Sequence, residues 1–307
     1  MQSKILVLAD MEGCAGITDM KQYDVCRARM TEEVERVIQA IENYEKADVA
    51  VADCHNDGRN IVPFFSEKGY VCYEHIWSIK DIAQYDCAML IGFHPKKGEA
   101  GFYPHTIRPD VDELYLGEKS IGEVALLINW LASHDVPVIF VSGDDAVKKE
   151  LTGYDGEFYV SNAVGAELLD EKVLSEQMVP HIKKALDSKN KIVPHYDDHE
   201  IRLRLIGENY DKFVPHELFS VKDGLVVFAD TESFVLSLRS LCEFLNIAEQ
   251  YQRLRTRHLI KRIRETEFCV EKDVKGKDLM NQKDWRALSD RDIDYLYGLL
   301  ETGKNEK

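Results

Sequence analysis

Nothing in the 307 residues approaches the roughly 18 consecutive apolar residues that a bilayer-spanning helix needs, so no membrane span is expected. Cysteine is scarce and irregular: the seven thiols are odd in number and never arranged as CxxC, which does not read as a disulfide framework. Basic residues are in deficit, 39 Lys and Arg against 55 Asp and Glu. The resulting net charge of -16 excludes nucleic acid or an anionic membrane as the main partner. The opening MQSKILVLAD lacks the length and cleavage site of a secretory signal, so a reducing cytoplasm is the expected location. Internal repeats and low-complexity segments are also missing.

What is present is an ordinary globular balance, 45% hydrophobic and 31% charged, with material for one large domain or two. Four short apolar runs, Ile5–Ala9, Val49–Ala52, Ala88–Gly92 and Val136–Ser142, are bounded by turn residues, as strands buried on both faces are. Amphipathic helices are expected over Met30–Ala47, where Val34, Val37, Ile38 and Ile41 share a face, and over Ile121–His134. This alternation predicts an α/β fold, a parallel sheet with helices on both faces. Residues 160–188 read as helical, and the polar stretch SKNKIVPHYDDHE as a boundary. HEIRLRLIG alternates like a half-exposed strand, LFSVKDGLVVFAD reads as a strand or hairpin turning at Lys222–Gly224, and SFVLSLRSLCEFLNIAEQYQRL is a long helix. The expected division is an α/β catalytic domain over 1–190, a smaller α+β unit over 191–250 and a charged helical extension over 251–307. The basic stretch RLRTRHLIKRIRE in that extension reads as a solvated helix, or as a face docking on an acidic neighbour in an oligomer.

The chemistry collects behind the strands. The first ends in Asp10-Met11-Glu12, the second in Asp53-Cys54-His55, the third in Phe93-His94 and the fourth in Gly143-Asp144-Asp145. Carboxyl ends of parallel strands share one edge, and ligands bind in the crevice there. Residues i and i+2 of an extended segment point the same way, so Asp10 with Glu12, and Asp53 with His55, can face one site. Mixed carboxylate and imidazole donors suit zinc, manganese or iron rather than calcium. Each piece has a plainer reading: a cap or turn for Asp-x-Glu, a loop residue for His55 or His94. For Glu123 the rival is a capping box in Ser120-Ile-Gly-Glu123. His105 lies 11 residues beyond His94 on a Gly- and Pro-rich loop, where an imidazole suits general acid/base work. Cys14 and Cys54 lie close by and read as small buried packing. Asp53, Asp144 and Asp145 are candidates to orient imidazoles.

Taken in order, these motifs resemble a known family: DMEG, MTEE opening the first helix, D-x-H, GFH, a second His 11 residues on, GE opening the next helix, and GDD. Order and spacing are similar to those of the DppA-type D-aminopeptidases, zinc metallopeptidases acting on short peptides with amino-terminal D-residues. The likeness runs from about Lys4 to about residue 250. It implies that Asp10 bridges two zinc ions, that Glu12, His55, His94 and Glu123 complete their shells, and that His105 is the catalytic histidine, the family's nucleophile. It further implies a homo-oligomer, a ring-stacked decamer that admits only short peptides. Pro104 and Thr106 depart from the small hydroxyl residues that the family prefers beside the catalytic histidine, and 146–165 is divergent. On chemical grounds His105 is better assigned to proton transfer or oxyanion stabilisation than to direct attack.

Rival functions are a haloacid-dehalogenase-type magnesium phosphohydrolase built on Asp10 and Gly143-Asp144-Asp145, a non-enzymatic metal-binding protein, and a peptidase or amidase acting on L-residues. The first wants Asp-x-Asp-x-Thr or Val, where this chain has Glu12 and Cys14, and it has no use for the three histidines.

Overall fold

Along Ser3–Ala9 the apolar side chains divide by parity: Ile5, Val7 and Ala9 join one core, Leu6 and Leu8 another on the opposite face. A strand buried on both sides has no polar face to show, which is why it reads as one continuous apolar run. The computed structural model describes residues 2–162, 171–206, 219–266, 275 and 290–302. In chain order its first elements are β1 (Ser3–Ala9), α1 (Tyr23–Tyr44), β2 (Ala47–Asp53), α2 (Val62–Glu67), β3 (Val71–Tyr73), β4 (Cys87–Phe93), β5 (Val111–Leu116) and β6 (Lys119–Ile121). There follow α3 (Glu123–Ala132), β7 (Val138–Asp144), β8 (Glu157–Asn162), α4 (Glu171–Ser188), β9 (Ile201–Leu205), β10 (Phe219–Lys222), β11 (Leu225–Phe228), α5 (Thr231–Thr266) and α6 (Asp290–Thr302).

Six strands pair in parallel in the order β3-β2-β1-β4-β7-β8. Residues of α1, α2 and α4 cover the core on one face; on the other lie α3, α5 and a second sheet. The fold is thus α/β with helices on both faces, as the alternation predicts. The chain winds outward from β1 to β3, then crosses back to lay β4 against the free side of β1. The gap between the carboxyl ends of β1 and β4 is therefore the switch point at which ligands bind in such sheets.

The second sheet is antiparallel, β10-β11-β9-β5-β6. It draws β5 and β6 from before residue 190 and β9–β11 from after it, so the proposed division at 190 cuts through one sheet. The hairpin at Lys222–Gly224 is present, with Asp223 and Gly224 at φ 51 and 73, the left-handed pair that a tight two-residue turn needs.

Several expected boundaries move. Tyr23 starts α1, seven residues before Met30, because Gln22 in front of it offers no side-chain cap to mark the start. The strand expected from Val136 begins at Val138. Val136 instead closes α3, its N–H bonded to Leu131 O behind Asp135 at φ 59. Ile121 belongs to β6 rather than to the following helix. Val160–Asn162, expected to be helical, end the half-exposed edge strand β8; the NAVGAELL portion from 163 to 169 lies outside the described residues. The basic stretch 253–265 continues α5, and its Leu259 is buried in a small core with Ile293, Leu296 and Leu300 of α6. None of the described helices is long and apolar enough to cross a membrane.

Candidate metal centre

Two glycines bring the ends of β1 and β4 together. Gly13 donates its N–H to Gly92 O at 2.8 Å, and a Cβ on Gly13 would fall 1.9 Å from Phe93 O. Gly92 sits at φ 74, with Cys14 Sγ and Asp10 O where a side chain would go. That close approach sets Asp10 and Glu12 opposite His94. The structure brings together all six residues singled out from the sequence: Asp10, Glu12, His55, His94, His105 and Glu123.

Asp10 is central and 3% exposed. Its Oδ1 lies 3.4 Å from His55 Nδ1, its Oδ2 3.6 Å from His94 Nε2, and Oδ2 is buried with no hydrogen-bond partner. Glu12, also buried, places Oε2 3.0 Å from His55 Nδ1 and Oε1 3.9 Å from His105 Nε2. Glu123 sets Oε1 3.3 Å from His94 Nε2 and accepts the N–H of Ile107 at 2.5 Å. It does not cap its helix: Ser120 is in β6, the N-cap is Gly122, and no side-chain cap bond forms. His94 and His105 stack with centroids 3.9 Å apart. Each donates Nδ1–H to a carbonyl, His94 to Pro95 O and His105 to Tyr103 O, both at 2.9 Å, so each presents Nε2 to the carboxylates.

The donor set is short of positive charge. Burial by itself would raise the Asp10 carboxyl, but His55 and His94 hold it well below the usual range. Burial would lower His55, yet Asp10 and Glu12 push it up to about 11. His94 is likewise held well above its ordinary value against its burial, chiefly by Glu123. Glu123, which burial would raise, is lowered by His94. Three carboxylates, those of Asp10 and Glu12 buried, around three imidazoles, with one orphaned oxygen beside His94, fit cations at this point. One ligand atom each from Asp10, Glu12 and His55 lies within 4.8 Å of the others, and so it is for Glu12, His94 and His105.

The profile of the D-aminopeptidase family matches residues 3–212. The chain belongs to the D-aminopeptidase family. A D-aminopeptidase of Bacillus subtilis (strain 168) is 26% identical over 161 residues, which are 48% of this chain and 58% of that protein. The match thus spans little more than half the length of that relative. The solved zinc-dependent D-aminopeptidase DppA of Bacillus subtilis, described as a self-compartmentalizing protease, superposes with a TM-score of 0.68 at 20% identity. The superposition covers 78% of this chain and 97% of that one, a likeness of fold.

In this D-aminopeptidase family member the late acidic pair has other work. Asp144 accepts the N–H groups of Phe102 and Ala146, both at 2.9 Å, and Asp145 is exposed, so neither orients an imidazole or builds a dehalogenase-type magnesium site. Asp53 accepts N–H from Asn60 at 2.5 Å, Ile61 at 3.0 Å and His55 at 3.2 Å. These two carboxylates hold the loops that carry His105 and His55 rather than the rings themselves. The Cys14 thiol donates to Asp10 O at 3.1 Å, and burial pushes both it and Cys54 well up, which leaves them as packing.

The sequence reading missed several residues. Of the six non-glycine residues with positive φ among those described, four flank the site: Asn56, His75, Tyr103 and Ile107. Such backbone is costly, above all for β-branched Ile107, where it aims the N–H at Glu123. The side-chain amide of Asn56 lies 2.9 Å from His55 Nε2. His75, 8% exposed, stacks on Trp77 at 3.5 Å, and burial lowers it to about 4. Between its ordinary value of 6.5 and that figure the unfolded chain binds the extra proton. His75 therefore favours the fold fully above pH 6.5, and stability falls as pH drops toward 4, by about 3 kcal/mol in all. Urea midpoints of wild type and His75→Asn at pH 7 and pH 4.5 check this: the acid-induced drop is expected to be clearly smaller in the variant. Equal drops would contradict it.

Proposed function

We propose that this chain is a zinc-dependent aminopeptidase that removes amino-terminal D-residues from short peptides, with Asp10, Glu12, His55, His94 and Glu123 as metal ligands and His105 as the proton-transfer residue. The observation that carries it is the Asp10 carboxylate at the switch point of the sheet, with Oδ1 toward His55 and Oδ2, buried without a hydrogen-bond partner, toward His94. Asp10 offers one oxygen to each side. Its Oδ1 lies with Glu12 and His55, its Oδ2 with His94 and Glu123, so one carboxylate would offer a donor to each half of the ligand set. Zinc held by these residues would supply Lewis-acid polarisation of the scissile carbonyl and would lower the pKa of water toward neutrality.

The residues supply the rest. With Nδ1–H committed to Tyr103 O, His105 keeps the Nε2 lone pair aimed at the site, where it takes a proton from the attacking water and returns it to the departing amine. The same Nε2, protonated, stabilises negative charge developing beside it. Ile107 N–H and the stack of His94 on His105 fix Glu123 and the catalytic ring, so little reorganisation accompanies the transfer. Asp10, Glu12, His55 and His94 are buried, which limits the access of bulk water to their ligand atoms.

Extending the family resemblance, the chain assembles as a homo-oligomer, in the ring-stacked form the decameric members use, and works in the cytoplasm. Initial rates on D-Ala-D-Ala and L-Ala-L-Ala, before and after chelation and zinc restoration, test the activity. A D-preference that chelation abolishes and zinc restores is expected. An L-preference with the same metal dependence would keep the site and overturn the substrate; hydrolysis of neither peptide would overturn the function.

A further inference from the structure

Two tyrosines stand beside the histidines, and only one is tied down. Tyr23 donates its hydroxyl to Asn60 Oδ1 at 2.5 Å and accepts from Asn56 Nδ2 at 3.2 Å, its ring 5.9 Å from that of His55. Tyr103 is 50% exposed, and no hydrogen bond of its hydroxyl occurs among the described residues. Its ring meets His105 edge-on, centroids 5.5 Å apart at 82°, and contacts no other imidazole of the cluster among the described residues. The backbone around it is what sets the ring: Phe102 N–H is held by Asp144, Tyr103 O accepts from His105, and Tyr103 itself sits at φ 51, a conformation that bulky residues rarely adopt.

A large apolar ring held in strained backbone, half in solvent and against the proton-transfer imidazole, is a surface prepared for a ligand group. His105 returns its proton to the departing amine, so the substrate atoms nearest it belong to the leaving residue. We propose that Tyr103 is the specificity-determining wall for the residue that follows the scissile bond, favouring a large apolar or aromatic side chain there. The inference rests on the aminopeptidase reading and on the proton-transfer role of His105.

The test compares kcat/KM for D-Ala-Gly, D-Ala-D-Leu and D-Ala-D-Phe in wild type, Tyr103→Phe and Tyr103→Asn, Asn being tolerant of positive φ. Wild type and Tyr103→Phe are expected to favour D-Ala-D-Phe over D-Ala-Gly by about five- to tenfold, the scale of one aromatic contact. In Tyr103→Asn the ratio is expected to fall to near unity, mainly through KM. Taken within one protein, the ratio is unmoved by partial unfolding or incomplete metal loading, which lower all three rates together. A ratio unchanged in Tyr103→Asn would overturn the inference, as would a wild type without the preference. The same holds for an unchanged ratio accompanied by a smaller assembly in light scattering, which would give the ring to a contact between copies. If wild type cleaves none of the three peptides, the aminopeptidase reading itself fails.

Discussion

Asp10→Asn is expected to lose hydrolytic activity by about 10³-fold or more, since Lewis-acid metals contribute several kcal/mol of transition-state stabilisation and each 1.36 kcal/mol is tenfold. The substitution keeps the shape of the side chain and removes its charge. Asp10 sets one oxygen 3.4 Å from His55 and the other 3.6 Å from His94, so its loss weakens both halves of the donor set at once. Folding survives in this account: β1 and β4 are joined by backbone pairing and by Gly13 N–H to Gly92 O, none of which needs the carboxylate. Rates on D-Ala-D-Ala, with a urea midpoint as the control, separate the two effects. A fully folded Asp10→Asn protein with wild-type turnover would contradict the assignment.

His105→Ala is expected to lower kcat by about 10²- to 10⁴-fold, the usual worth of a positioned acid/base, with KM nearly unchanged. The metal content should stay that of wild type. That contrast with Asp10→Asn follows from place: His105 is on a partly open loop, 3.9 Å from Glu12 Oε1, whereas Asp10 is 3% exposed and central. Turnover near the wild-type level would remove His105 from the chemistry; loss of metal along with activity would move it into the ligand set.

The sheet and its switch-point residues were legible because they rest on short-range rules. Buried parallel strands are continuous apolar runs, and whatever follows them shares an edge, so Asp10, Glu12, His55 and His94 could be placed without knowing a single contact. Glu123 was ambiguous for a physical reason. Locally Ser120-Ile-Gly-Glu123 satisfies a capping pattern, and only the distant hairpin of β5 and β6, by putting Ser120 in a strand, frees the carboxylate to take Ile107 N–H. The edge strands β3 and β8 escaped notice because a three-residue strand and a half-exposed one carry little period to read. His75 was hidden by the same omission, since it follows β3. The roles of Asp53 and Asp144 were misplaced: their partners are backbone N–H groups, and no residue pattern announces which loop a buried carboxylate will hold. Tyr103 could not be singled out either, because its strained φ is imposed by bonds to Asp144 and His105 on either side of it.

The most direct measurement is elemental analysis of wild type and Asp10→Asn purified side by side. The account predicts about two zinc ions per wild-type chain and a large loss of both from the variant, because one carboxylate serves both positions. Equal metal in the two proteins, or no transition metal in wild type grown and purified with zinc, would contradict it.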